Sequence, residues 1–333
     1  MTMNVDEQLE QAAAVISDAD EIALACHLTP DGDALGSLLA MLHLCRANQQ
    51  GAVASWPEPF NVAPHYRFLP GLDLAVPPAS FPEEPDVMLT FDCGSMARLA
   101  ELGDSAKRAG TLIVLDHHAT NDCYGAINVV DPEAAATAVM VYRLAKVLGW
   151  RLDRDAALCL YTGLVTDTGR FQYQNTTPEV FDLASELARF DLPIAEMTRE
   201  LFEKHRFVYL RLVGEALARA ELDERLGFVG TFITQDDLDR HGVSYEEVEG
   251  LIDLVRRTAE AEVSCVAKEA GDERRVSLRS ISEVDVATIA EAMGGGGHRF
   301  AAGFTTTKSV AEIFGEVKDA VAAQRAATIA ARS

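Results

Sequence analysis

Apolar positions along the chain gather into short runs that stop abruptly at polar, chemistry-bearing residues. Residues 111–115 are apolar, rich in β-branched side chains and of strand length, and they end at Asp116-His117-His118. Residues 21–26 form a similar run that leads straight into His27 and the polar stretch through Ser37, and residues 86–91 form a third that ends at Asp92. Between the runs lie helical patterns. Val5, Leu9, Ala12, Ala13 and Ile16 share one face of a helix over 5–18, and further helices are predicted over 38–48, 96–108, 133–148 and 154–165. The helix over 133–148 opens after Asp131-Pro132, since proline suits a first helical turn. The helix over 154–165 delivers a polar loop, Thr166-Asp167-Thr168-Gly169. Residues 125–130 add a short strand, and the proline-rich stretch 51–85 reads as irregular with one short strand at 52–55.

Residues 178–222 are mostly helical in pattern, and a second unit begins with a strand over 228–233. Ser244-x-x-Glu247 is a capping-box pattern for a helix running to Arg257. Residues 262–269 and 275–280 flank Gly271-Asp272 as a hairpin, a helix covers 285–293, and a glycine-rich loop over 294–304 leads to a final helix over 310–330. Alternating strands and helices imply a mostly parallel sheet covered on both faces. The fold class is therefore α/β: an N-terminal domain over 1–185, a helical linker over 186–222, and a smaller C-terminal α/β domain with a mixed sheet over 223–333.

Composition narrows the class without changing the picture. With 48% apolar and 24% charged residues the chain is globular in composition. No apolar run reaches the ~20 residues of a membrane span, and the polar, acidic start is unlike a signal peptide, so a cytoplasmic protein is expected. Six scattered cysteines form no C-x-x-C, which speaks against a disulfide framework or a zinc–thiolate site. A net charge of −23, from 29 basic and 52 acidic residues, disfavours long-duplex DNA as a partner, because duplex affinity comes largely from counterion release at phosphates. A small phosphorylated ligand remains compatible if bound cations invert the local field.

The strand ends carry the chemistry. In open α/β sheets, ligands collect outside the carboxyl ends of the strands. One parallel sheet would bring His27, Asp31, Asp33, Asp92, Asp116, His117 and His118 together there, with Asp167 arriving from its polar loop. Clustered carboxylates repel one another and raise each other's pKa, and divalent cations relieve that conflict. Mixed oxygen and imidazole donors suit Mn²⁺ or a similar ion. The number of donors points to two ions, which at ~3.5–4 Å separation clamp a displacement at phosphorus and lower the pKa of a shared water. Taken singly, each motif has a plainer reading. Asp116-His117-His118 could be a surface turn, Asp31-Gly32-Asp33 a turn, Asp92 a helix N-cap, and residues 294–297 a flexible linker. His43, His65, His205 and His241 belong to no motif, while Arg98 and Arg170 lie just past candidate ligands and are placed to assist with phosphate.

The set H-x-x-x-D-x-D (His27, Asp31, Asp33), Asp92, Asp116-His117-His118 and Asp167 resembles the DHH phosphoesterases. The stretch G-G-G-H-R-F-A-A-G over 295–303 resembles their associated C-terminal domain. Together the motifs cover nearly the whole chain and are similar to those of bacterial bifunctional oligoribonucleases (nanoRNases) and pAp phosphatases, some of which also hydrolyse cyclic dinucleotides. The resemblance implies a two-metal phosphodiesterase/phosphatase acting on very short RNA oligonucleotides, pAp, and linear or cyclic dinucleotides through a metal-activated hydroxide. It implies two Mn²⁺ per chain, with Mg²⁺ or Co²⁺ as substitutes: one held by His27 and Asp31, the other by Asp33 and His117, with Asp92 and Asp167 contacting or bridging both. His118 would touch the scissile phosphate and Asp116 would orient the histidines. Arg279 and His298 would bind substrate, with Gly295, Gly296, Gly297 and Arg299 around them offering close backbone approach to phosphate.

Other readings carry their own marks. A RecJ-type single-strand exonuclease would need room for an added strand-binding module. A family II pyrophosphatase would carry a lysine- and arginine-rich C-terminal domain rather than a glycine-rich loop. A non-catalytic nucleotide- or RNA-binding module has no use for so many clustered acids, and no G-x-G-x-x-G follows a strand to suggest a dehydrogenase. The apolar helical surface is compatible with a homodimer, and nothing suggests a membrane partner.

Overall fold

The computed structural model describes residues 4–332. The chain divides into two compact units, with the break between Lys204 and His205.

In the first unit α1 (Val5–Asp18), β1 (Glu21–Cys26), α2 (Gly32–Ala47), β2 (Gly51–Ser55) and β3 (Val87–Phe91) are followed by α3 (Gly103–Arg108), β4 (Thr111–Asp116) and β5 (Ile127–Val130). The helices α4 (Thr137–Val147), α5 (Arg154–Asp167), α6 (Pro178–Ala188) and α7 (Ile194–Phe202) complete it. The sheet runs β2-β1-β3-β4-β5 and every pairing is parallel. Because side chains alternate across a strand, Ile22, Leu24, Cys26, Leu89, Phe91, Ile113 and Leu115 join the main core on one face. Ala23, Ala25, Met88 and Leu112 join a smaller core with Leu99, Leu102 and Ala106 on the other. Helix α2 is buried along its whole length from Gly32 to Cys45, so it is an internal helix rather than an amphipathic one.

The second unit contains α8 (Phe207–Ala218), β6 (Glu221–Asp223), β7 (Phe228–Ile233), α9 (Gln235–His241), α10 (Leu251–Val255), β8 (Val263–Ala270) and β9 (Glu273–Ser280). It ends with α11 (Val286–Ala292), β10 (Gly296–His298), β11 (Ala301–Thr306) and α12 (Val310–Arg332). Its sheet is mixed, in the order β10-β11-β9-β8-β7-β6, with only β7 and β8 parallel. α11 and α12 cover one face around Phe228, Val263, Cys265, Leu278 and Phe314. α8–α10 cover part of the other around Val229, Ile233 and Val266. No helix among the described residues is long and apolar enough to cross a membrane.

Several elements differ from their sequence-level expectation for local reasons. α2 begins at Gly32 rather than residue 38, because Asp31 accepts the backbone N–H groups of Asp33 and Ala34 and caps it. α4 begins at Thr137 rather than 133: Asp131 accepts the Glu133 N–H, so Asp131-Pro132 opens a turn instead of the helix. The helix over 96–108 is a 3-10 segment, Met96–Leu102, followed by α3, with Ala100 at φ 43° breaking the run. The helix over 244–257 is also broken, into a 3-10 turn at Glu246–Val248 and α10, and Glu247 is held by Arg206 at 2.7 Å. The glycine-rich stretch is not a loop but the hairpin β10–β11. A Cβ on Gly295 would lie 2.1 Å from the Gly303 carbonyl oxygen, so the hairpin itself demands glycine there.

Candidate metal centre

β1, β3 and β4 are adjacent and parallel, so their carboxyl ends lie on one edge of the sheet. His27 follows β1, Asp92 follows β3, and Asp116 is the last residue of β4. Asp31 and Asp33 come from the cap and first turn of α2, and Asp167 from the last turn of α5 rather than a loop. α2 and α5 approach backbone to backbone to allow this. A Cβ on Gly36 would stand 2.6 Å from the Cys159 carbonyl oxygen, and one on Gly163 would stand 2.6 Å from Asp33 Oδ1.

Asp92 is the shared member of the cluster. Its Oδ2 lies 3.7 Å from His27 Nε2, and its Oδ1 lies 3.5 Å from His117 Nε2. His27 Nε2 is also 3.9 Å from Asp31 Oδ1. His117 Nε2 is 3.1 Å from Asp167 Oδ2 and 3.8 Å from Asp33 Oδ2. Two donor groups result, His27–Asp31–Asp92 and Asp33–Asp92–His117. The Asp92 backbone sits at φ 54°, a left-handed conformation that an L-residue adopts at a cost and that recurs at functional sites.

Asp116 has a different occupation. Its Oδ1 accepts the N–H groups of His117 (2.7 Å) and His118 (3.1 Å) and lies 2.7 Å from His118 Nδ1, while Oδ2 accepts from Asn121 at 2.5 Å. Asp92, Asp116 and His118 also stand close enough together to be a third donor group. Both Asp116 oxygens are engaged in hydrogen bonds, Oδ1 within the triplet and Oδ2 with Asn121. His117 Nδ1 lies 3.2 Å from the Ala134 carbonyl, which turns Nε2 to the carboxylates. The His117 side chain is 5% exposed and that of His118 is 22% exposed, so His118 is the more accessible of the two rings.

Sequence reasoning missed the supports. Thr137 donates its N–H to Asp33 Oδ2 at 2.5 Å and its hydroxyl to Asp92 Oδ1 at 3.0 Å, and the Ala138 N–H reaches Asp33 Oδ1 at 3.0 Å. The N-terminus of α4 thus cradles the buried Asp33, as helix N-termini favour anions. Backbone donors leave no residue-type signal, though the threonine at a helix start was one clue. Arg98 stands 2.9 Å from His27 Nδ1, whereas Arg170 is directed onto the Phe202 ring, 4.9 Å from its centroid. His43 is buried in α2, away from any surface role.

Electrostatics follow from this crowding. Burial, together with Asp92 and Asp167, raises Asp33 well above the ordinary carboxyl range, against the pull of His117 and the α4 N–H groups. Asp167 is raised by burial too. Burial also works against the Asp92 carboxylate, but His118, His27 and His117 together hold its pKa far down. Burial disfavours the His117 imidazolium, yet Asp167, Asp92 and Asp33 outweigh it and raise His117 well above its usual value. His118 is raised in the same way, by its bond to Asp116 and by Asp92. Carboxylate oxygens and imidazole nitrogens converging with so much negative charge fit divalent cations.

In the second unit the candidate substrate residues lie on the sheet. Arg279 is in β9 with Nε 3.7 Å from Asp253 Oδ1, and Gly296, Gly297 and His298 form β10. Arg299 is at the hairpin turn, 5.5 Å from the Phe300 ring centroid and donating to the Glu283 carbonyl at 3.3 Å.

Comparison with known proteins gives a consistent picture. Residues 21–164 match the model of the DHH family, N-terminal domain, and residues 227–324 match the DHHA1 domain. A Thermus thermophilus protein named bifunctional oligoribonuclease and PAP phosphatase NrnA is 33% identical over 90% of this chain and 88% of its own. A Geobacillus thermodenitrificans protein named cyclic-di-AMP phosphodiesterase GdpP is 26% identical over 85% of this chain and 44% of its own. The solved structure of an exopolyphosphatase-related protein from Bacteroides fragilis, 24% identical, superposes with a TM-score of 0.86 over 95% of this chain and 96% of that one.

Proposed function

The chain belongs to the DHH family, and from that membership we propose that it is a phosphodiesterase and phosphatase of very short oligoribonucleotides and small nucleotides: pAp and linear or cyclic dinucleotides. The shared position of Asp92 between two donor groups carries the reading. A lone structural ion has no need of a second group, whereas a displacement at phosphorus is served by two. The relatives' names support the substrate class, and the acidic chain suits small phosphates over long duplexes. A cytoplasmic location, where such fragments arise, accords with this.

His27, Asp31 and Asp92 would hold one Mn²⁺, and Asp33, Asp92 and His117 the other, with Asp167 beside His117. When bound, the pair supplies charge to the phosphoryl oxygens and acidity to a water. The protein's own groups do the rest. Asp116 fixes the His118 ring through Nδ1, directing Nε2 to the far side, where its proton serves a phosphoryl or leaving oxygen. The α4 N-terminus keeps Asp33 in place against the repulsion of Asp92 and Asp167. Arg279, His298 and Arg299, with the backbone at Gly295, Gly296 and Gly297, would hold the remainder of the nucleotide.

The deciding experiment is a hydrolysis panel with purified full-length chain and Mn²⁺: a dinucleotide, a five-residue RNA, pAp, a cyclic dinucleotide and pyrophosphate. Turnover of the short RNA or pAp is expected. Turnover of pyrophosphate alone, or of none, overturns the reading.

A further inference from the structure

Asn175 lies in the loop between α5 and α6, and its side-chain nitrogen meets two carbonyl oxygens: that of Ala135 at 3.0 Å and that of Asp167 at 3.1 Å. A carbonyl oxygen only accepts, so the amide is fixed with both N–H bonds donated and Oδ1 turned away. That Oδ1 is buried without a hydrogen-bond partner among the described residues, and so is the hydroxyl oxygen of Thr176 beside it in the chain. A buried acceptor left unpaired is costly. The placement of this side chain is therefore set by what its nitrogen does.

The two carbonyls belong to segments that serve one group of side chains. The stretch that leads into α4 already holds three of them. Its Ala134 carbonyl lies 3.2 Å from His117 Nδ1, the Thr137 and Ala138 N–H groups bind Asp33, and the Thr137 hydroxyl binds Asp92. Asp167 is the fourth, 3.1 Å from His117 Nε2, and it arrives separately at the end of α5. Just beyond it the chain passes through three left-handed residues, Gly169 at φ 53°, Arg170 at φ 64° and Phe171 at φ 61°. The last two are not glycine, so this turn is strained and has to be held by its surroundings. The Asn175 amide is such a hold, since it ties the helix end ahead of the turn to the stretch that carries the other three.

We propose that Asn175 is a positioning residue for the second cation: one amide joins Asp167 to the stretch that sets Asp33, Asp92 and His117, so that the four converge as a unit. This role rests on the two-ion reading of the acidic cluster. The link touches neither His27 nor Asp31, so its loss should be felt on one side of the cluster. Asparagine is needed for its chemistry. An aspartate of the same shape sets a carboxylate against two carbonyls, and a leucine leaves both without a donor.

The test uses the full chain, stripped of metal, with Asn175→Leu and Asn175→Asp beside the parent. Mn²⁺ is titrated by calorimetry. The parent should take up two ions, and each variant should keep one near the parental affinity while binding the other about ten- to a hundredfold more weakly, the range for partners of metal-site residues. Two ions held as tightly as in the parent, or both weakened alike, overturn the role of Asn175; a parent that never binds two ions overturns the two-ion reading instead. Hydrogen exchange of the metal-free chains, read by mass spectrometry, tests the link without any cation. Loss of the amide should speed exchange in residues 131–138 and 163–169 together, although they are distant in sequence. Faster exchange confined to residues 169–177 overturns the proposal. The two variants differ in charge, so either one that folds gives the answer.

Discussion

Asp116 Oδ1 and His118 Nδ1 stand 2.7 Å apart, and the same oxygen receives the backbone N–H groups of both histidines that follow it. One carboxylate oxygen therefore sets the direction of a peptide turn and the rotation of a ring. Asp116→Asn keeps the shape but loses the charge on that oxygen. A drop in kcat of about 10- to 100-fold is expected, the range for partners of metal-site residues, with bound metal per chain unchanged in elemental analysis. Loss of metal in this variant would make Asp116 a ligand and contradict its supporting role.

Arg98 supplies a positive charge beside an acidic cluster, 2.9 Å from His27 Nδ1, and has no carboxylate partner among the described residues. Contact with a substrate phosphate is the prediction drawn from that position. A charged hydrogen bond is worth about 1.5–3 kcal/mol, roughly ten- to a hundredfold in affinity. Arg98→Ala should raise KM for pAp by about that factor with little change in kcat. An unchanged KM would limit Arg98 to holding His27.

Gly163 is the point where α5 comes close enough to meet Asp33. Gly163→Ala would set a methyl 2.6 Å from Asp33 Oδ1 and 2.9 Å from Ala138 Cβ. Overpacking of this kind costs about 1–3 kcal/mol, so the Tm should fall and the affinity for one of two cations should weaken. Metal titration with parent-like affinity at both sites would show that the helices can yield without moving Asp33.

Cation binding should release protons. The surrounding carboxylates raise His117 well above its usual value and so favour its protonated form, and Nε2 must lose that proton to accept a metal. Asp167 and Asp33, also raised, act in the same direction. Affinity for Mn²⁺ should therefore climb as pH rises toward the raised His117 value. Calorimetry in buffers of different ionisation enthalpy measures the release directly, and identical heats in all buffers would contradict it.

The legible parts of the sequence were those where one physical effect dominated. β4, a run of buried β-branched side chains, could hardly be anything else, and its end at Asp116 follows from the cost of burying charge. The start of α2 was hidden because Asp31-Gly32-Asp33 has turn composition, yet the same aspartates make a helix cap and first turn. Asp167 was read in a loop because two threonines and a glycine surround it, though α5 runs through it. The Thr137 and Ala138 amides were invisible, since any residue but proline can donate a backbone N–H.

Helix α2 is both the most deeply buried helix of the first unit and the bearer of Asp31 and Asp33. The proposed cation sites and the integrity of the core thus depend on the same 16-residue helix and its cap, and a ligand that binds only the folded chain stabilises it by mass action. A cell short of the metal would lose more than turnover: the idle protein would open more often, offer its core to proteases and be cleared. Supply of the ion would in this way set how many copies persist as well as how fast each one works.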